Sequence, residues 1–255
     1  MNNKSASLTT CITGAAILFT GAILAGSATA APVTFAQYNQ TNGSTQQWTI
    51  SNSGTTTTVS AAGTVQFTFS VPGLSLGSGA RDANFALSAT SGQIGNCGVS
   101  CGAGDSYVEP GYSGTFSFTD ALLGTNLLSG TFAVTGSPAT TGAQFSSSMG
   151  GTGGSFNASA TAGNLSQLIF TSAYVSFAGQ TQEDSSFSLS SLIPNFSVGT
   201  VTGNQAYPSG TFHASGTGTF SSNPGPSAAP EPATFALVGG ALLTLGFLRR
   251  KNRLV

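Results

Sequence analysis

Charge is what this sequence has least of. Of its 255 residues only 5% are Asp, Glu, Lys or Arg, and there is one His and one Trp. Four of the six basic residues, Arg249, Arg250, Lys251 and Arg253, crowd into the last seven positions. Between residues 31 and 230 the single basic side chain is Arg81, against six acidic ones (Asp82, Asp105, Glu109, Asp120, Glu183, Asp184), for a net charge near −5. A protein that neutralises a phosphate backbone needs clustered Lys and Arg to displace counterions, so nucleic acid is excluded as a partner.

The same scarcity thins the means for catalysis. A Ser-His-Asp hydrolase needs a base, and His213 is the only one. It alternates with Phe212 and Ala214, which puts it on the solvent face of a strand. A glycosidase needs two carboxylates about 5–10 Å apart across a cleft. The available pairs are Asp105 with Glu109 and Glu183 with Asp184, and both sit among Gly, Ser or Gln and read as polar loops. No catalytic residue, enzymatic activity, metal or cofactor is expected. Calcium would draw on the same carboxylates, but no D-x-D-x-D-G loop is present. Candidates for stacking on a sugar are Trp48, Tyr107, Tyr112 and Tyr207.

Cysteine is also scarce. Of the three, Cys11 lies in an N-terminal export segment, leaving Cys97 and Cys101 in GNCGVSCGAGD. In an oxidising compartment they are expected to pair as a loop-pinning disulfide; redox chemistry favours C-x-x-C, and zinc needs further ligands.

What the chain has in quantity is Gly, Ser and Thr around 18 Phe and five Tyr. Apolar and hydroxyl residues alternate with period two, the signature of strands buried on one face. Val65, Phe67, Phe69 and Val71 form one such face. Others are Phe116 with Phe118, Phe132 with Val134, Phe187 with Leu189, Phe196 with Val198, Phe212 with Ala214, and Trp48 with Ile50. Residues 168–177 are the most continuously apolar and predict a central strand or pair. Helical spacing is confined to residues 119–128, where Asp120 is placed to cap one turn. The segments SGTFSFTD, SGTFAVTG and SGTFHASG begin at 113, 129 and 209, with no fixed period. The expected body, residues 31–220, is therefore an all-β antiparallel sandwich, jelly-roll-like, with a β-solenoid as the alternative.

Both flanks read as addresses. Lys4, an apolar stretch at 11–26 and the small residues Ala28-Thr29-Ala30 have the order of a secretory signal peptide, with residues 1–30 helical, handed to the Sec translocon and cut after Ala30. After residue 220 comes a Ser/Pro/Gly spacer, 221–229, then Pro230-Glu231-Pro232, an apolar run at 233–248, and the basic cluster. Sixteen helical residues span about 24 Å, enough for a transmembrane helix in a thinned bilayer, and the positive-inside rule leaves the tail cytoplasmic and the body outside.

Pro-Glu-Pro, a short hydrophobic helix and a basic cluster, in that order over residues 230–255, resemble the PEP-CTERM sorting signal of Gram-negative bacteria. The resemblance implies an exosortase-type membrane protease as partner, cleavage near Pro230-Glu231-Pro232, passage through an inner-membrane intermediate, and transfer to the cell surface or extracellular matrix in exopolysaccharide- and biofilm-forming species. It implies nothing about the body. The functional expectation is a structural or adhesive surface protein in contact with exopolysaccharide. A carbohydrate-binding module is the alternative, and a secreted polysaccharide hydrolase a third reading.

Overall fold

A computed structural model describes residues 31–228 apart from 43–44, 75, 77–78, 135–141, 162–163, 165–166 and 200–201. The two expected flanking helices, the signal cleavage residues Ala28 and Ala30, the sorting motif Pro230, Glu231 and Pro232, and the cluster Arg249, Arg250, Lys251 and Arg253 lie outside the described residues.

The described chain is all-β. Its strands are β1 (Val33–Gln40), β2 (Trp48–Ser53), β3 (Thr56–Phe69), β4 (Arg81–Ser91), β5 (Gly95–Asn96), β6 (Ser106–Asp120), β7 (Asn126–Phe132), β8 (Ala143–Ser148), β9 (Gly154–Thr161), β10 (Leu168–Thr171), β11 (Val175–Ser176), β12 (Gln182–Ile193), β13 (Gln205–Ala206), β14 (Thr211–Asn223) and β15 (Ser227–Ala228). Every pairing between them is antiparallel, which excludes the stacked parallel coils of a solenoid.

The expected jelly-roll sandwich is corrected to a barrel. β1, β3, β4, β6, β8, β9, β12 and β14 pair in chain order, and β14 returns to β1, so eight strands close a single wall. Alternation alone cannot separate the two, because a sandwich and a barrel both bury every second residue. Closure removes the open edges a sandwich leaves. At the seam β1 and β2 lie end to end: β1 bridges Val65–Phe69 of β3 to the last residues of β14, and β2 bridges Thr56–Ala61 to the first.

The interior is filled by rings rather than by a cavity. Phe118 meets Phe85 at 4.7 Å between centroids, Phe67 at 4.9 Å and Tyr38 at 5.0 Å. Phe187 meets Trp48 at 5.3 Å and Phe220 at 5.6 Å. Packing this dense demands small residues opposite the rings. A Cβ on Gly130 would stand 2.1 Å from the Phe116 ring, and one on Gly216 would stand 2.4 Å from the Trp48 indole nitrogen. Gly130 belongs to one of the SGTF segments and Gly216 closes another, so their likeness reflects shared packing within one wall rather than a repeat.

The outer wall is hydroxyl-rich. Ser60, Ser88, Thr115 and Thr131 stand in one cross-strand row, partnered in register across β3, β4, β6 and β7. The apolar stretch at 168–177 is no central strand: β10 pairs only with β7, and β11 forms a separate ribbon with β15. Residues 119–128 form no helix either. Asp120 does cap the one turn expected of it, between β6 and β7, accepting hydrogen bonds from the Leu122 and Leu123 amides at 2.9 and 2.8 Å while the Gly124 amide returns to its carbonyl. β14 runs on to Asn223, into the stretch expected as spacer.

The register fixes which loops share an end. Val33 pairs with Ser222, Ala36 with Phe69, Phe67 with Arg81 and Ala83 with Asp120, so the chain's way in, its way out and the β6–β7 turn lie together. The β2–β3 turn, the Cys97–Cys101 loop and the loop between β12 and β14 occupy the opposite end.

Candidate functional site

The opposite end carries a small pinned loop. Cys97 and Cys101 are joined, and Asp105 accepts hydrogen bonds from the Gly102 amide (2.9 Å) and from the Ser100 amide (3.1 Å) and hydroxyl (3.3 Å). The Ser100 amide, then that of Gly102, hold the Asp105 carboxyl below the usual carboxylate range, because they favour its charged form. Asp105 is thus used up in fixing the loop.

Glu109, its supposed partner across a cleft, is sealed inside the barrel with no exposed surface. Tyr112 donates to its Oε2 at 2.8 Å. The Tyr107 hydroxyl lies 3.1 Å from the same oxygen and 3.3 Å from the Ala206 carbonyl. Burial pushes the Glu109 carboxyl up to about 7, against hydrogen bonds from Thr57, Tyr112 and Tyr107 that favour the carboxylate. Burial and the neighbouring Glu109 also push both tyrosines well up. This polar core cluster was hidden in sequence, although the phase of β6 carried it: Tyr107 and Glu109 share the inward face.

Glu183 and Asp184 point to opposite faces of β12. Glu183 turns inward with Ser185, Phe187 and Leu189, and burial raises its carboxyl to about 7, opposed by the Phe170 amide at 3.3 Å. Asp184 turns outward, bonded to Ser159 and, at 2.8 Å, to Gln182. Neither carboxylate pair meets across a cleft. His213 stands exposed on β14 as its phase predicts, its Nδ1 3.2 Å from the Thr49 hydroxyl.

The aromatic candidates are corrected in the same way. Trp48, Tyr107 and Tyr112 have no exposed surface, so none offers a stacking face; Tyr207 is half-buried. One polar groove opens on the outer wall over β8, β9 and β12, lined by Gln144, Asn157, Ser159, Asp184 and Ser186. Ser186 donates to Asn157 Oδ1 at 2.8 Å, and Asn157 donates to the Ser155 hydroxyl at 3.1 Å. Such a lining of amides, hydroxyls and one carboxylate suits a neutral polyhydroxylated ligand. Among the described residues, no three His, Cys, Asp or Glu side chains gather to hold a metal ion, and no helix is long and apolar enough to cross a membrane.

Fold and surface together define a class: a closed, ring-filled antiparallel β-barrel with a hydroxyl-rich wall that carries few charges. No family model, curated protein or solved structure matches the chain.

Proposed function

We propose that the chain is an exported cell-surface or extracellular-matrix protein, sorted through residues 230–255 and acting without catalysis as a structural or adhesive module in the envelope or biofilm matrix. Supporting this reading is one observation above the others: the way into the barrel at Val33 and the way out at Ser222 are partners in register. A barrel held by a tail leaving that end presents its opposite, disulfide-pinned end outward. During sorting the tail spans the inner membrane with its basic cluster in the cytoplasm, until an exosortase-type protease cuts near Pro230-Glu231-Pro232. The test is cell fractionation of Glu231→Ala and of a chain lacking Arg249, Arg250, Lys251 and Arg253. Both are expected to strand full-length protein in the inner membrane, whereas unchanged release and size would contradict the reading.

A second reading, a carbohydrate-binding module, draws on the groove over β8, β9 and β12. Saturable binding on a glycan array, lost in Asn157→Ala or Asp184→Ala, would favour it. Binding that survives both substitutions would not.

A further inference from the structure

Among the described residues Val99, Ile193 and Ile94 stand exposed toward the disulfide-pinned end and Ile169 on β10, but the most exposed apolar side chain is Leu122, beside Leu123 at the tip of the β6–β7 turn. Leu122 is 91% exposed and Leu123 62%. The turn is not a loose loop. Asp120 accepts the amides of both leucines through Oδ1, and its Oδ2 accepts a hydrogen bond from Arg81 at 2.9 Å. The Gly124 amide returns to the Asp120 carbonyl at 2.9 Å. The leucines are thus held outward; beside them Asp120 is matched by Arg81, and exposed Asp82 accepts a hydrogen bond from Gln66.

The turn shares its end of the barrel with the chain's exit. The pairings Ala83 to Asp120, Phe67 to Arg81, Ala36 to Phe69 and Val33 to Ser222 run unbroken from the turn to the last residues of β14. Val33, at that same end, is 55% exposed. After β14, Ala228 pairs with Val175 of β11, so the chain is fixed to this end as far as residue 228. The apolar run begins at residue 233. Five residues reach at most about 17 Å when fully extended. A barrel tied that closely to a bilayer must turn this end toward it.

We propose that Leu122 and Leu123 dip into the outer surface of the membrane in which residues 233–248 are seated, holding the barrel upright on the bilayer while its tail is attached. This rests on the reading of residues 233–248 as a membrane span. The occupant is the lipid interface, where apolar side chains on a rigid turn bury area with the strand ends above them in the headgroup layer. Once the tail is cut the contact is lost, because two leucines alone bind a bilayer weakly and reversibly.

The test uses the chain as exported, residues 31–255, reconstituted in phosphatidylcholine–phosphatidylethanolamine vesicles containing brominated lipid. A reporter tryptophan is introduced by Leu122→Trp, or by Thr55→Trp at the exposed β2–β3 turn of the opposite end; the native Trp48 is buried and supplies a common background. Both sites are exposed, and unchanged circular dichroism checks that the barrel is intact. Bromolipid is expected to quench the L122W reporter roughly threefold more than that of T55W, as for a side chain at the headgroup–acyl boundary. Equal, weak quenching in chains that float with the vesicles would overturn the proposal and leave the anchor standing. Flotation unchanged on deletion of residues 233–248, or absent altogether, would overturn the anchor and the proposal with it. Protein-concentration-dependent burial of the L122W reporter without lipid would show a second copy as the occupant, and would equally overturn it.

Discussion

Phe85 and Phe118 lie face to face across the β4–β6 pair, their centroids 4.7 Å apart and their planes within 10° of parallel. Tyr38 packs against both at 5.0 Å. The barrel is therefore held from its middle rather than by its surface, where the single ion pair among the described residues is Arg81 with Asp120. Phe118→Ala is expected to cost about 3–5 kcal/mol, as ring deletion from a sealed core does. A double-mutant cycle of Phe85→Leu and Phe118→Leu, read by urea unfolding, is expected to show about 0.5–1.5 kcal/mol of coupling. Strict additivity would mean that the stack contributes nothing beyond its buried area.

Lowering the pH from about 7 to about 4.5 is expected to stabilise the fold. An unfolded Glu carboxyl titrates near 4.5, whereas Glu109 and Glu183 in the barrel are pushed up to about 7. Between those values the folded chain holds protons that the unfolded chain has released, so stability falls as pH rises from about 4.5 to about 7 and levels off above. For fully buried Glu109 the loss is on the order of 3 kcal/mol. Urea midpoints taken from pH 4.5 to pH 8 should show the decline in the wild type and a shallower one in Glu109→Gln. An identical slope in that variant would rule out Glu109 as a source.

The disulfide closes a loop of only a few residues, so its loss is expected to be local. Reduction, or Cys97→Ser with Cys101→Ser, should lower stability by about 2 kcal/mol through loop entropy and leave the ring-filled core assembled. A small shift in melting temperature with unchanged near-ultraviolet circular dichroism is the expected result. Collapse of the aromatic signal would show that the loop supports the whole barrel.

Much of this architecture was legible in the residues. Phe116 with Phe118, Phe187 with Leu189, and Trp48 with Ile50 all face the interior, as alternation requires. Alternation says which face is buried but not what lies across from it, so eight strands in one closed wall read as readily as two packed sheets. Residue type misleads where phase does not. Trp48, Tyr107 and Tyr112 looked like sugar platforms because they are aromatic, and Glu109 and Glu183 looked like loop carboxylates because their neighbours are polar. The phase of β6 puts Tyr107 and Glu109 on its inner face, and the phase of β12 puts Glu183 there too. The place of Leu122 and Leu123 is not legible in sequence for another reason: which end of a barrel a turn occupies is set by long-range register, which no local pattern carries.

Export of the barrel and loss of its tail are both read from the intact mass of the protein recovered from the cell surface. The expected species begins at Ala31 and ends near Pro230-Glu231-Pro232, the apolar run and the basic cluster gone. A surface-recovered mass that retains residues 233–255, or residues 1–30, would contradict this expectation.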